Sequence, residues 1–153
     1  MDLKLEFSFE ARVLVSDSVL IGETPIGTQY MIPIIGGTFE GPDLKGTVLP
    51  IGADFLLDRR DGVSEVKATY TIETDDGHKI YVDNRGYYFA PKEVLDLLDR
   101  GEKVDPSLIY FRTTPIFRAS AGKYSWLNRT IMVCAGEELR ASSTIRLQFY
   151  KVK

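Results

Sequence analysis

The 153-residue chain contains a single cysteine, Cys134, and a single histidine, His78. One cysteine cannot form an intrachain disulfide, and one cysteine with one histidine cannot assemble a zinc set, so no disulfide framework and no metal site are expected. Positive charge is not in excess either: 19 Lys and Arg against 22 Asp and Glu leave a net charge of −3, too little to neutralise a phosphate backbone, and no nucleic-acid partner is expected. No run approaches the roughly 18 apolar residues that a membrane helix needs. The stretch from Met1 to Phe7 alternates apolar and polar residues and includes acidic ones, unlike the basic start and continuous apolar stretch of a signal peptide. The expectation is a soluble, cytoplasmic protein. Common enzyme signatures are missing as well: no Gly-x-Ser-x-Gly elbow, no phosphate loop ending in Gly-Lys-Ser/Thr and no His-Glu-x-x-His, so no cofactor is expected.

The residues that are present alternate with a period of two. Leu3, Leu5, Phe7, Phe9, Ala11, Val13 and Val15 share one parity, and Lys4, Glu6, Ser8, Glu10 and Arg12 the other, which predicts a long strand with one wet face. The same pattern returns in Val66, Ala68, Tyr70 and Ile72, and again in Ile145, Leu147 and Phe149. Asp75-Asp76-Gly77, followed by Ile80, Tyr81 and Val82, reads as a hairpin turn because Asp-Gly supplies the positive φ that a tight turn requires; Asp61-Gly62 reads likewise.

Eight of the 13 glycines fall between Gly22 and Gly62, spread among strand-like residues such as Ile34, Ile35, Phe39, Val48 and Leu49. Glycines so placed mark bulges and bends rather than a phosphate cradle, and a small barrel must bend its strands to close. One segment breaks the pattern: Pro91 to Arg100, with Val94, Leu95, Leu97 and Leu98 at helical spacing and Gly101 just beyond, predicts a short amphipathic helix. Its apolar face needs a surface to cover, and the open end of a barrel provides one, so the helix reads as a lid or plug. Its charged residues, Lys92, Glu93, Asp96, Asp99 and Arg100, read as a solvated face. The fold expected is all-β: one domain over residues 1–153, a small antiparallel barrel of about eight or more strands, lipocalin-like or cyclase-barrel-like, with one helix near 91–100.

Several motifs occur in one order: Gly36-Gly37-Thr38-Phe39-Glu40-Gly41, Gly46-Thr47-Val48-Leu49-Pro50-Ile51-Gly52-Ala53-Asp54, Arg60-Asp61-Gly62, Thr74-Asp75-Asp76-Gly77, Tyr110-Phe111-Arg112-Thr113-Thr114-Pro115 and Trp126-Leu127-Asn128. Together they resemble the bacterial and fungal family labelled domain of unknown function 3237, over nearly the whole chain. The resemblance implies a β-barrel, while most of that family lacks an assigned activity. Phe55 stands where the family commonly has tryptophan, and Arg118 where it commonly has an acidic residue.

Candidate site residues are polar groups set in apolar sequence: Asp54, Arg112 and Asn128. If they point inward, desolvation demands partners, and Asp54 with Arg112 is the pairing to expect. On a functional reading, Arg112 binds a ligand oxygen, Asp54 exchanges a proton or accepts a hydrogen bond, and Tyr30, Tyr110 and Trp126 form flat apolar walls. On a structural reading, the pair ties two strands together and Trp126 fills core; strand parity leaves either face of Arg112's strand free to be the inner one. His78, beside a hairpin tip, reads as a surface residue, and Cys134, within Ile131-Met132-Val133-Cys134-Ala135, as a small buried hydrophobe. Three functions stay open. The first is a barrel binding a small, largely apolar ligand; the others are a cofactor-independent enzyme for proton transfer, cyclisation or isomerisation, and a homo-oligomeric interaction protein without ligand.

Overall fold

In a computed structural model describing residues 1–153, ten antiparallel strands form one sheet: β1 (Leu5–Val15), β2 (Val19–Thr24), β3 (Gly27–Glu40), β4 (Gly46–Asp54), β5 (Leu57–Asp58), β6 (Ser64–Thr74), β7 (Lys79–Phe89), β8 (Tyr110–Arg118), β9 (Met132–Leu139) and β10 (Thr144–Val152). Eight of them run in the order β1-β10-β9-β8-β7-β6-β4-β3, and the further pairing of β3 with β1 closes the ring. The barrel is therefore an eight-stranded one, with β2 paired to β3 alone and the short β5 bridging β3 and β6.

Closure depends on bulges, and several lie at the glycines. The register slips between Leu20 and Gly22, between Pro33 and Thr38 around Gly36 and Gly37, and between Val48 and Gly52. These glycines all adopt positive φ, and a Cβ on Gly37 or Gly52 would run into the carbonyl oxygen of Arg12 or Thr69 on the neighbouring strand. Both expected hairpin turns form: Gly62 and Gly77 each take φ of +87°, and β6 pairs with β7 from Ser64↔Tyr88 to Glu73↔Lys79.

One expectation about β1 is corrected. Phe9, Ala11 and Val13 do face the core, but Leu3, Leu5 and Phe7 are exposed and Ser8 is fully buried. The cause is a bulge between Phe7 and Phe9 that inverts the parity of everything before it. Ser8, turned inward, donates its hydroxyl to Asp43 at 2.8 Å.

The interior changes character along the barrel axis. At one end Phe9, Phe39, Phe117 and Phe149 form an aromatic cluster, Phe9 stacking on Phe149 at 4.4 Å and meeting the other two edge-on; Ile72, Ile80, Val82 and Met132 complete this plug. Moving along the same strands, the large inward side chains give way to small ones: Phe9 to Ala11 and Val13 on β1, and Ile72 and Tyr70 to Ala68 and Val66 on β6. The far end stays hollow. The helix, α1 (Lys92–Asp99), begins after Pro91 and stops before Gly101 at φ +78°, and it lies at this hollow end, where Leu95 and Asp99 reach the rim of the cavity. The backbone contacts of the glycines set a test of the closure: Gly37→Ala should cost about 3 kcal/mol or more in urea unfolding. Gly77→Ala, where the added carbon meets open space, should cost only the left-handed backbone, about 1–2 kcal/mol.

Candidate functional site

The hollow end encloses a cavity of about 520 Å³. Just over half of its lining residues are aliphatic or aromatic, Val13, Ile34, Val66, Ala68, Phe111 and Leu147 among them, and polar side chains make up most of the rest: Asp54 and Asn84 in the barrel, Glu138 and Arg140 near the rim, and Asp17, Asp58, Ser64 and Thr144 besides, with the Tyr70 hydroxyl adding a further polar group. A concave site that combines apolar walls with placed polar groups is the usual form of a small-molecule site.

Asp54 enters this wall through register. It pairs with Ile32 on β3 and Ala68 on β6, both of which line the cavity, so all three share the inner face. One carboxyl oxygen accepts the Lys67 backbone N–H at 2.9 Å, and the next residue, Phe55, donates its own N–H to the Lys67 carbonyl at 2.9 Å. The strand end thus clamps the carboxyl in place with a single hydrogen bond and no cation. Burial against the apolar wall dominates, and the Lys67 N–H only partly offsets it, so the carboxyl is pushed up to about 6. Such a group is partly protonated near neutrality and can both give and accept a proton.

Asn84 enters from β7, where the inward series Ile80, Val82, Asn84 puts an amide after two fully buried aliphatics. It is 1% exposed, and its Oδ1 has no hydrogen-bond partner. Tyr70 is buried, and desolvation raises its hydroxyl well above the usual range. At the rim, Tyr88 donates to Glu138 at 3.3 Å, and Arg140 bridges Glu138 at 2.9 Å and Asp99 of α1 at 3.2 Å, tethering the helix across the opening. Asp99 is therefore part of the rim rather than only of the helix's solvated face. No three His, Cys, Asp or Glu side chains converge as metal ligands would.

Of the six residues singled out from the sequence, only Asp54 reaches the cavity. Arg112 does not pair with it: inward positions on β8 are Phe111, Thr113, Pro115 and Phe117, and Arg112 lies on the exposed outer face, donating to the Phe111 carbonyl at 2.8 Å and lying over the Tyr110 ring at 5.8 Å. Tyr110 is also outside, stacked on Phe89 at 4.8 Å. Tyr30 packs on β3 away from the cavity, its N–H bonded to the Leu56 carbonyl at 2.8 Å. Trp126 packs against the core from the short 3₁₀ segment Ser125–Arg129, with Lys151 Nζ 5.5 Å over its ring. Asn128 is exposed and bonds both the N–H and the carbonyl of Ala119 at 2.8 Å, closing a loop as a surrogate backbone. His78 sits at the plugged end beside Asp76 and Tyr124, and Cys134 is buried, its thiol pushed up to about 12 by desolvation. The residues missed were Asn84 and Tyr70; period-two counting from Ile80 and Val82 would have put Asn84 on the inner face.

Closed eight-stranded antiparallel barrels with one end plugged and one end hollow form a class defined by what the open half can hold. Within that class, this chain belongs to the family described as protein of unknown function (DUF3237), which it matches over residues 3–152. It is 47% identical over 135 residues to a UPF0311 protein of Bradyrhizobium diazoefficiens, covering 88% of this chain and 87% of that one. It superposes on the crystal structure of a Rhodopseudomonas palustris protein of unknown function with a TM-score of 0.90 at 36% identity, covering 100% and 99% of the two chains. A β-barrel-like protein from Acinetobacter baumannii matches with a TM-score of 0.86 at 35% identity, over 100% and 98%. More distantly, a protein of Penicillium herquei named as a hydroalkoxylation enzyme is 27% identical over 125 residues, 81% of this chain and 68% of that one.

The raised Asp54 carboxyl has a thermodynamic signature. Between pH about 4 and 6 the native state keeps a proton that the unfolded chain has released, so this group lowers stability as pH rises through that window. Asp54→Asn removes the ionisation while keeping an acceptor for the Lys67 N–H. Relative to wild type, the variant should be of similar stability at pH 4 and more stable above pH 7, by up to about 3 kcal/mol. Urea unfolding of both proteins across that range measures the difference; one that does not change with pH would remove Asp54 from the desolvated wall.

Proposed function

We propose that the hollow end of the barrel binds a small, largely apolar molecule and that Asp54 moves a proton on it, making the protein a cofactor-independent acid–base enzyme. The observation that carries this reading is the Asp54 carboxyl: held by one backbone N–H, without a counter-ion, in the wall of an apolar cavity, with its pKa near 6. An ionisable group so placed costs stability, and active sites are where such costs concentrate.

The fungal relative's name supplies one reaction type compatible with these groups. In hydroalkoxylation an O–H adds across a C=C: the O–H and π bonds break, and new O–C and C–H bonds form. No proton is gained or lost overall, so a single carboxyl that takes the oxygen's proton and returns one to carbon closes the balance without redox help. The cavity volume of about 520 Å³ suits a molecule of one or two rings.

Two measurements test the reading. Native mass spectrometry of gently purified protein should show an added small-molecule mass that disappears on denaturation. Incubated with small alkenols and alkenylphenols, wild-type protein should form the cyclic ether, and Asp54→Asn should form it at least about a hundred-fold more slowly. Equal rates in the two proteins would remove Asp54 from the chemistry. A bare mass together with no turnover would overturn the reading altogether.

A further inference from the structure

Asp54, Ala68 and Asn84 lie in one row. Asp54 is in register with Ala68 on β6, and Ala68 with Asn84 on β7. Residues in register across antiparallel strands project to the same face, so the carboxyl and the amide stand on either side of Ala68, about 9–10 Å apart at the backbone, two strand spacings. All three line the cavity. The central residue carries only a methyl group, so the row is a notch with a polar group at each edge and an apolar floor. A longer side chain at 68 would fill it.

Asn84 is the unexplained member. It is 1% exposed, yet its Oδ1 has no partner, and an orphaned buried amide oxygen carries its full desolvation cost. Its neighbours in the inward series, Ile80 and Val82, are aliphatic and fully buried, and an aliphatic residue at 84 would continue the plug at no such cost. Its register partner on the other side, Pro115, has no N–H to offer it.

We infer that Asn84 is the residue that selects the cavity's occupant, and that the occupant is a hydroxyl-bearing, otherwise apolar molecule whose O–H lies in the notch between Asn84 and Asp54. A hydroxyl both donates and accepts, so it matches the amide in either orientation of its end, whereas an ether or carbonyl oxygen can only accept. Sites built to hydrogen-bond a hydroxyl reject the analogue lacking it far more strongly than a plain apolar pocket can, because the buried polar group is then left unpaired. The inference rests on the binding reading above and adds to it the class of ligand and the residue that recognises it.

The test uses a matched pair of probes, 2-naphthol and 2-methoxynaphthalene, titrated into wild-type, Asn84→Leu and Asp54→Asn proteins by isothermal calorimetry. The methyl ether is the more apolar, so burial alone favours it; recognition of the hydroxyl reverses the order. Wild type should bind 2-naphthol at least ten-fold tighter than the ether. Asn84→Leu should lose that preference while binding the ether within about two-fold of wild type. The wild-type ratio stands whether or not the leucine variant folds, and Asn84→Ala provides a second route to the same comparison. Equal wild-type affinities for the two probes, or a preference that survives in Asn84→Leu and disappears only in Asp54→Asn, would overturn the role of Asn84 while leaving a binding cavity. Failure of both probes to bind would overturn the binding reading and this inference with it, and binding of the ether without 2-naphthol would overturn this inference alone.

Discussion

Everything in this barrel depends on how its interior is divided. Eight strands enclose a space that side chains can fill or that one small molecule can occupy, and here the inward positions do both in sequence along the axis. The stacked pair Phe9 and Phe149, with Phe39 and Phe117 against them, fills one half and supplies the aromatic burial that holds the ring closed. Small inward residues at the other end, above all Ala68, leave the cavity. The same strands that anchor the plug therefore position the cavity wall, and the site rests on rigid β-structure rather than on loops.

That arrangement lets the open half carry groups that cost stability. Asp54 ionises against a desolvated wall with one hydrogen bond, and Asn84 leaves an amide oxygen unpaired. Neither is compensated within the protein, in contrast to paired charges elsewhere, such as Arg146 with Glu10 and Glu137, or Lys151 with Glu6 and Asp43. Polar groups left uncompensated in an apolar wall are what a ligand can satisfy, and the two stand two strand spacings apart on either side of Ala68. At the rim, Arg140 links Asp99 of the helix to Glu138 of β9, so the cover over the opening is held by exposed ion pairs of modest strength rather than by core packing.

Much of the fold was legible in the chain because it is written in period-two patterns and turn chemistry. The β6–β7 hairpin, the Asp-Gly turns and the helix after Pro91 all follow from local residues, and the glycines between Gly22 and Gly62 announced the bulges by which the sheet closes. The start of β1 was not legible: a bulge between Phe7 and Phe9 leaves no compositional mark and reverses the face of Leu3, Leu5 and Phe7. The site was read less well for a related reason. A charged residue in apolar sequence shows that one face is wet, not which one, and on β8 the wet face is the outside, so Arg112 and Tyr110 fell away from Asp54. Asn84 was hidden by its setting in Asp83-Asn84-Arg85, where an amide between two charges looks like surface. Its partners and burial belong to the closed barrel, not to its neighbours in sequence.

The most direct measurement is a carbon-13 NMR titration of the Asp54 side-chain carboxyl in otherwise unperturbed protein. A midpoint near pH 6 is the result required of a carboxyl that faces an apolar cavity without a counter-ion and is poised to exchange a proton. A midpoint near 4, the ordinary value for aspartate, would mean that Asp54 is solvated or paired and that the hollow end of the barrel is not built around it.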